Sequence, residues 1–232
     1  MMQIYAAYSL QNPILCTAVF ITLVPLIFLI FKKAYKDRTF RLLGYYLTFK
    51  LAIDIMMFHS ASLHRNNIIL YNLSIPVFYA LLSGMFYQKL VNPFYKKLIV
   101  FSIIIFTGLS SWDIFNANPN LSDLHNHRAV IFSKTIEGVL MISIVLVYFY
   151  EVIKSLQIPN LLTFPFFWIC SGLLLYYSSM IFIAPVLHYT ATWTNTLELG
   201  MTEYVPYIFE IICAILFTIG IYYFPRFRYA KQ

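Results

Sequence analysis

Charge is scarce in this chain: 11% of its 232 residues are Asp, Glu, Lys or Arg, where soluble domains carry about a quarter. That excludes an ordinary soluble globule. With 61% hydrophobic residues and a mean hydropathy of +0.75, the composition is that of a polytopic membrane protein. Glycine is also scarce, with 7 in the whole chain. Small-residue packing motifs and glycine hinges are therefore nearly absent from the sequence, which argues against a large rocking motion. Cysteine is limited to Cys16, Cys170 and Cys213, all in apolar segments at different expected depths. Neither a disulfide framework nor a CxxC metal motif follows from them. No segment has the composition of a soluble domain, and the tail after residue 224 is too short for an effector domain. A signal would have to leave through helix movement, an inner loop or a separate partner.

What remains is a succession of apolar runs. Residues 13–31, 41–60, 68–88, 98–113, 129–150, 162–187 and 204–224 read as seven spans, each near the roughly 20 residues a crossing helix needs. The formal charge of +7 might suggest a nucleic-acid binder, but the positives sit in short connections, so no nucleic-acid partner is expected. Lys32, Lys33, Lys36, Arg38 and Arg41 follow the first span, and Lys89, Lys96 and Lys97 follow the third. Lys154 follows the fifth, and Arg226, Arg228 and Lys231 follow the seventh. The alternate connections hold only Arg65, Arg128 and the acids Asp123, Glu198 and Glu203. By the positive-inside rule this predicts an all-α, seven-helix membrane domain over residues 1–232, N-terminus outside and C-terminus cytoplasmic. Because the positives follow the first apolar run, that run reads as an uncleaved anchor rather than a signal peptide. The stretch Pro13–Cys16, PILC, is a poor lipobox, lacking a small residue before the cysteine.

The second span breaks the apolar rule. It carries Lys50 and Asp54 near its middle, four residues apart and so on one helical face. A charge at the centre of a spanning helix costs about 2.5–3.5 kcal/mol even on the gentler scale. Lys134 and Glu137 form a similar pair in the fifth span, and Glu210 stands alone in the seventh. Five such groups unpaired would cost about 15 kcal/mol, as much as a whole protein's net stability, so they must pair, hydrate or neutralise. Two ammonium groups against three carboxyls leave one carboxyl over, Glu137 or Glu210. Asn72 and Tyr79 in the third span and Tyr176, Tyr177, Ser178 and Ser179 in the sixth fall at similar depth. The sequence therefore predicts a ligand pocket open to the outside, formed by Lys50, Asp54, Asn72, Tyr79, Lys134, Glu137, Tyr177, Ser178 and Glu210. The competing reading is a structural ion-pair network that fixes helix register.

The histidines His59, His64, His125, His127 and His188 all fall at or beyond the outer boundary. His125-x-His127 with Asp123, or His59 with His64, could offer imidazole to zinc or copper, or sense pH, but their spacing matches no closed metal site. A retinal protein needs a lysine in the seventh helix, and residues 204–224 hold none, so no cofactor is expected. Ser60-Ala-Ser62-Leu-His64 imitates the Ser-x-x-x-His pair of alkaline-ceramidase-type membrane hydrolases. The late HxxxH of that family is missing, so an enzyme of this class lacks its three metal ligands. Pro76 and Pro206, each followed by aromatics, hint at two three-helix units joined by the fourth helix, as in several transporters.

The sixth-span stretch Pro165-Phe166-Phe167-Trp168-Ile169-Cys170-Ser171-Gly172-Leu173-Leu174-Leu175-Tyr176, with Leu70-Tyr71-Asn72 opening the third span, resembles small seven-helix membrane proteins of Bacteroidota. Those proteins read P-x-F-W-I-x-S-G-x-L-x-Y there and have no settled function. Many carry an acid within the third helix, where this chain has Val77-Phe78-Tyr79. The resemblance implies a bacterial inner membrane and little chemistry. Three roles are open on the sequence. One is a receptor-like sensor that takes a small ligand or ion and signals through a cytoplasmic or membrane partner. The others are a small-solute or proton-coupled transporter and a structural subunit of a membrane complex. Scarce glycine and an apolar inner half favour the sensor.

Overall fold

The computed structural model describes residues 2–120, 126–155, 160–192 and 204–225. Among these the regular elements are all helical: α1 (Met2–Gln11), α2 (Pro13–Ile21), α3 (Leu23–Phe31), α4 (Arg38–Ser62), α5 (Ile68–Lys89), α6 (Pro93–Ala117), α7 (Ile131–Ser155), α8 (Pro165–Thr192) and α9 (Val205–Tyr222). Six stretches are long and apolar enough to cross a bilayer: 13–31, 68–89, 93–117, 131–154, 165–183 and 205–222. The chain is a multi-pass helical membrane protein. The remaining long helix, α4, has 25 residues, about 37 Å at roughly 1.5 Å per residue. Lys50, Asp54 and His59 hold its hydropathy below that of the other six.

Contacts between helix ends define two poles. At one pole Tyr5 of α1 bonds His59 near the end of α4, and Asn72 near the start of α5 bonds the carbonyl of Arg128, just before α7. At the other, Phe40 near the start of α4 packs on Phe224 after α9, and the amides of Val91 and Asn92 before α6 reach Glu151 near the end of α7. We call these the Asn72 pole and the Lys89 pole.

Local chemistry explains where several helices start. Asp37 caps α4, its carboxylate accepting from the amides of Thr39 at 2.9 Å and Phe40 at 3.3 Å. Asn92 caps α6 at the amide of Phe94, and Pro93 occupies the first turn, where its missing N–H costs nothing. The neighbours α6 and α7 also cap each other. Asp113 of α6 accepts from the Ser133 amide at 2.9 Å and its hydroxyl at 2.6 Å, and Glu151 of α7 accepts from Val91 and Asn92, both at 3.0 Å.

The first span of the sequence reading is present but interrupted. Pro25 has no N–H to give the Ile21 carbonyl four residues back, and the rod breaks at Thr22 between α2 and α3. Met1–Asn12, to which no span was assigned, contains α1, seated on α4 through Tyr5 and Tyr8 against Phe58. The span placed at 98–113 is longer, running Pro93–Ala117, because Pro93 and its cap fix an earlier start. The two prolines taken as a repeat differ in role: Pro76 lies inside α5, whereas Pro206 stands in the first turn of α9.

The Lys89 pole is closed by aromatic packing, with Phe86 on Phe166 at 5.3 Å and Tyr148 on Phe166 at 5.0 Å between ring centroids. Glycine, scarce as it is, sets the closest helix contact. A Cβ on Gly220 would stand 2.7 Å from the Pro165 carbonyl oxygen, and one on Gly172 would stand 3.3 Å from that of Cys213. Those two positions let α8 and α9 touch backbone to backbone, and this brings Glu210 beside Tyr176.

Candidate functional site

The site grows from the midpoint of α4. Tyr46, Lys50 and Asp54 succeed one another at four-residue spacing on one face. Lys50 Nζ donates to Asp54 Oδ2 at 2.6 Å and also to Oε1 of Glu210 on α9. One ammonium thus serves two carboxylates from two helices. Glu210, Cys213, Ala214 and Phe217 share a face of α9, and that face closes the other side of the cluster. The three charged side chains keep 13%, 16% and 17% of their surface, so the cluster is half-buried rather than sealed.

Against it lies a cavity of about 20 Å³, lined by Thr22, Tyr46, Lys50, Tyr176, Glu210 and Cys213 among others. Tyr46 is 6% exposed and forms part of the cavity wall. A polar-walled space of this volume can hold one water-sized occupant.

A second cluster sits on α7 and α8. Lys134 Nζ donates to Glu137 Oε2 at 2.8 Å, and the Tyr177 hydroxyl donates to Glu137 Oε1 at 2.8 Å. The side chains of Lys134 and Glu137 are 6% and 0% exposed. Tyr71, Tyr176 and Tyr177 surround the ammonium with ring centroids 5.7–5.9 Å away. Charge is balanced here, one against one, and each carboxylate oxygen has a donor. Tyr176 stands between the clusters: its ring faces Lys134 and it lines the cavity of Lys50 and Glu210.

The nine residues expected to share one pocket therefore divide. Lys50, Asp54 and Glu210 meet, and Lys134, Glu137 and Tyr177 meet. Asn72 does not join either group. Its amide is spent as a clasp, Nδ2 donating to the Arg128 carbonyl at 2.8 Å and Oδ1 accepting from the Val130 amide at 3.1 Å. Asn118 holds the same Arg128 from the other side, bonding both its carbonyl and its amide. Tyr79 turns toward α6, where its hydroxyl donates to Ser102 Oγ at 2.8 Å and its ring packs on Phe106. Ser178 is half-buried, and among the described residues no hydrogen bond links it to either cluster. Of the two carboxyls expected to be left over, Glu137 pairs with Lys134, and Glu210 shares Lys50 with Asp54. Thr22, Tyr46 and Cys213 were missed. The four-residue step from Tyr46 to Lys50 was the available signal for one of them, while Thr22 and Cys213 carry none in the sequence.

His59 is bonded to Tyr5 at 2.7 Å, and His127 is buried near the Asn72 pole. Among the described residues, no three His, Cys, Asp or Glu side chains converge as a metal site. Asp123, His125, Glu198, Glu203, the cations Arg226, Arg228 and Lys231, and the side chain of His188 lie outside the described residues. No protein-family model, no curated protein and no solved structure matches this chain.

Proposed function

We propose that this protein is a receptor-like sensor of the bacterial inner membrane. In this reading α4 also spans, as the second of seven, the N-terminus and the Asn72 pole face outward, and the Lys89 pole faces the cytoplasm. The Lys50–Asp54–Glu210 cluster is the input site, and its ligand is a proton or a small monovalent cation. The signal leaves through a separate membrane or cytoplasmic partner.

One observation carries the reading: a single ammonium is shared by two carboxylates from different helices, beside a cavity of about 20 Å³. With all three groups ionised, one Lys against Asp plus Glu leaves one negative charge in excess, and an uncompensated charge at this depth is costly. A proton or small cation removes it. The cavity has room for a water-sized occupant and none for an organic ligand. Occupancy would weaken the hold of Lys50 on Glu210, which ties α4 to α9, so binding is converted into a change between two helices.

A sensor fits better than a transporter because the charged clusters stop above the aromatic layer of Phe86, Tyr148 and Phe166 at the Lys89 pole. The distribution of Lys and Arg supports the orientation. The test uses purified protein in liposomes, with spectroscopic labels on α4 and α9. The expected result is a change in their separation on titrating pH or sodium, abolished in Glu210→Gln, with no ion flux. Flux across the liposome membrane would overturn the sensor in favour of transport. A wild-type protein indifferent to both titrations would overturn the site.

A further inference from the structure

The face between α6 and α7 carries a second feature, unconnected to the charged clusters. An apolar groove of about 270 Å³ runs between Leu98 and Phe101 of α6 and Leu140, Ile144 and Val147 of α7. Its floor is Tyr79, fully buried and bonded to Ser102. The hydroxyls that touch the groove are already used: Ser102 donates to the Ile99 carbonyl and Ser143 to that of Val139. Apart from Tyr95 at its end, the rest of the lining is aliphatic or aromatic.

Toward the Lys89 pole lies a wider cavity of about 590 Å³, and Tyr95 lines both. The walls of the wider cavity carry Lys89, Lys154, Asn92 and Glu151 among aromatic and aliphatic side chains. Glu151 accepts from the backbone amides of Val91 and Asn92 at 3.0 Å, which holds its carboxylate at that end of the wall. Two lysines against this one carboxylate leave the cavity lining with a net positive charge.

We propose that this pair of cavities is a binding site for one anionic phospholipid, an acyl chain in the α6–α7 groove and the phosphate between Lys89 and Lys154. Three observations select that occupant. The groove opens from helices apolar enough to cross a bilayer, so its ligand comes from the lipid phase. The apolar groove and the lysine-bearing cavity share Tyr95 as a wall and succeed one another in the order of a lipid's tail and head. The cations lie at the ends of α5 and α7, which is headgroup depth for helices that span. Tyr95, an amphipathic ring at the junction, is the residue type that favours that boundary.

The experiment uses the full chain in nanodiscs with a phosphatidylglycerol probe bearing a photoreactive group on one acyl chain. Cross-links should concentrate in 98–102 and 140–147, and unlabelled phosphatidylglycerol should compete better than phosphatidylcholine. Lys154→Gln should weaken that competition about fivefold, and Lys89→Gln combined with it about 25-fold, at roughly one elementary headgroup contact per lysine. Ile144→Trp should block labelling outright. Equal competition by the two lipids on the wild-type protein would overturn the headgroup site. Labelling spread evenly onto other exposed apolar positions, such as Ile30 and Phe31 of α3, would overturn the groove. Both readouts come from the wild type, so they stand even if Ile144→Trp fails to fold.

Discussion

The two charged clusters of this bundle are built from similar parts and reach different ends. On α7 and α8, Lys134 meets one carboxylate, three tyrosine rings enclose the ammonium, and the exposures are 6% and 0%. On α4 and α9, Lys50 meets two carboxylates, the exposures are 13–17%, and a cavity adjoins. The first has a donor for every carboxylate oxygen. The second has one negative charge too many and adjoins a cavity of about 20 Å³ with Tyr46 in its wall. A completed pair locks register, whereas an incomplete one can exchange a proton or cation and move. Burial of charge alone does not separate the two clusters; the local charge count does. Tyr176, which touches both, gives the rigid cluster a fixed wall to lend to the other.

The sharpest way to break the contrast is to remove one partner from the balanced cluster. Lys134→Met leaves Glu137 buried with only the Tyr177 hydroxyl. It should cost about 3–5 kcal/mol, the usual penalty for orphaning a buried charge. Thermal or denaturant unfolding in detergent measures it. The double variant Lys134→Met, Glu137→Met should cost less than either single change, because no charge is stranded. Next in size is Lys50→Met, which strands two carboxylates in a half-exposed place where water can reach them. We expect about 3 kcal/mol by the same assay. A smaller effect belongs to Tyr177→Phe, which removes one of the two donors to Glu137 and leaves the other. A hydrogen bond to a charged group contributes about 1.5–3 kcal/mol, and the loss should fall at the lower end because Lys134 remains.

The division between the clusters was only half legible in the sequence. Lys50–Asp54 and Lys134–Glu137 could be read because helical spacing of four or three residues places partners on one face whatever the tertiary fold. The link from Lys50 to Glu210, across 160 residues, could not. Depth follows from counting along a span, but the direction a side chain faces around the helix does not when the helix is apolar on nearly all sides. Asn72 and Tyr79 show the consequence. Each lies near the expected level, yet one points at the loop before α7 and the other at α6. The apolar spans were readable from hydropathy, with ends misplaced where a cap decided them, as Asn92 and Pro93 do for α6. The short α1 had no hydropathy signal of its own and owes its place to the rings of Tyr5 and Tyr8 on Phe58.

The smallest expected effect on stability is the most informative about role. Glu210→Gln removes one of the two carboxylates around Lys50 and leaves the other, so the cluster becomes a balanced pair like that on α7. Glutamine keeps the shape and can still accept from Lys50, and the variant loses an excess charge rather than a needed one. The cost should therefore stay below about 1 kcal/mol, far from the penalty for Lys134→Met. If stability is kept while the α4–α9 separation no longer responds to pH or sodium, the carboxylate serves the response and not the fold. If Glu210→Gln unfolds the protein as Lys134→Met does, the two clusters are the same kind of strut. The excess negative charge at Lys50 would then have to be compensated permanently, by a bound proton or by a cation held in the cavity of about 20 Å³.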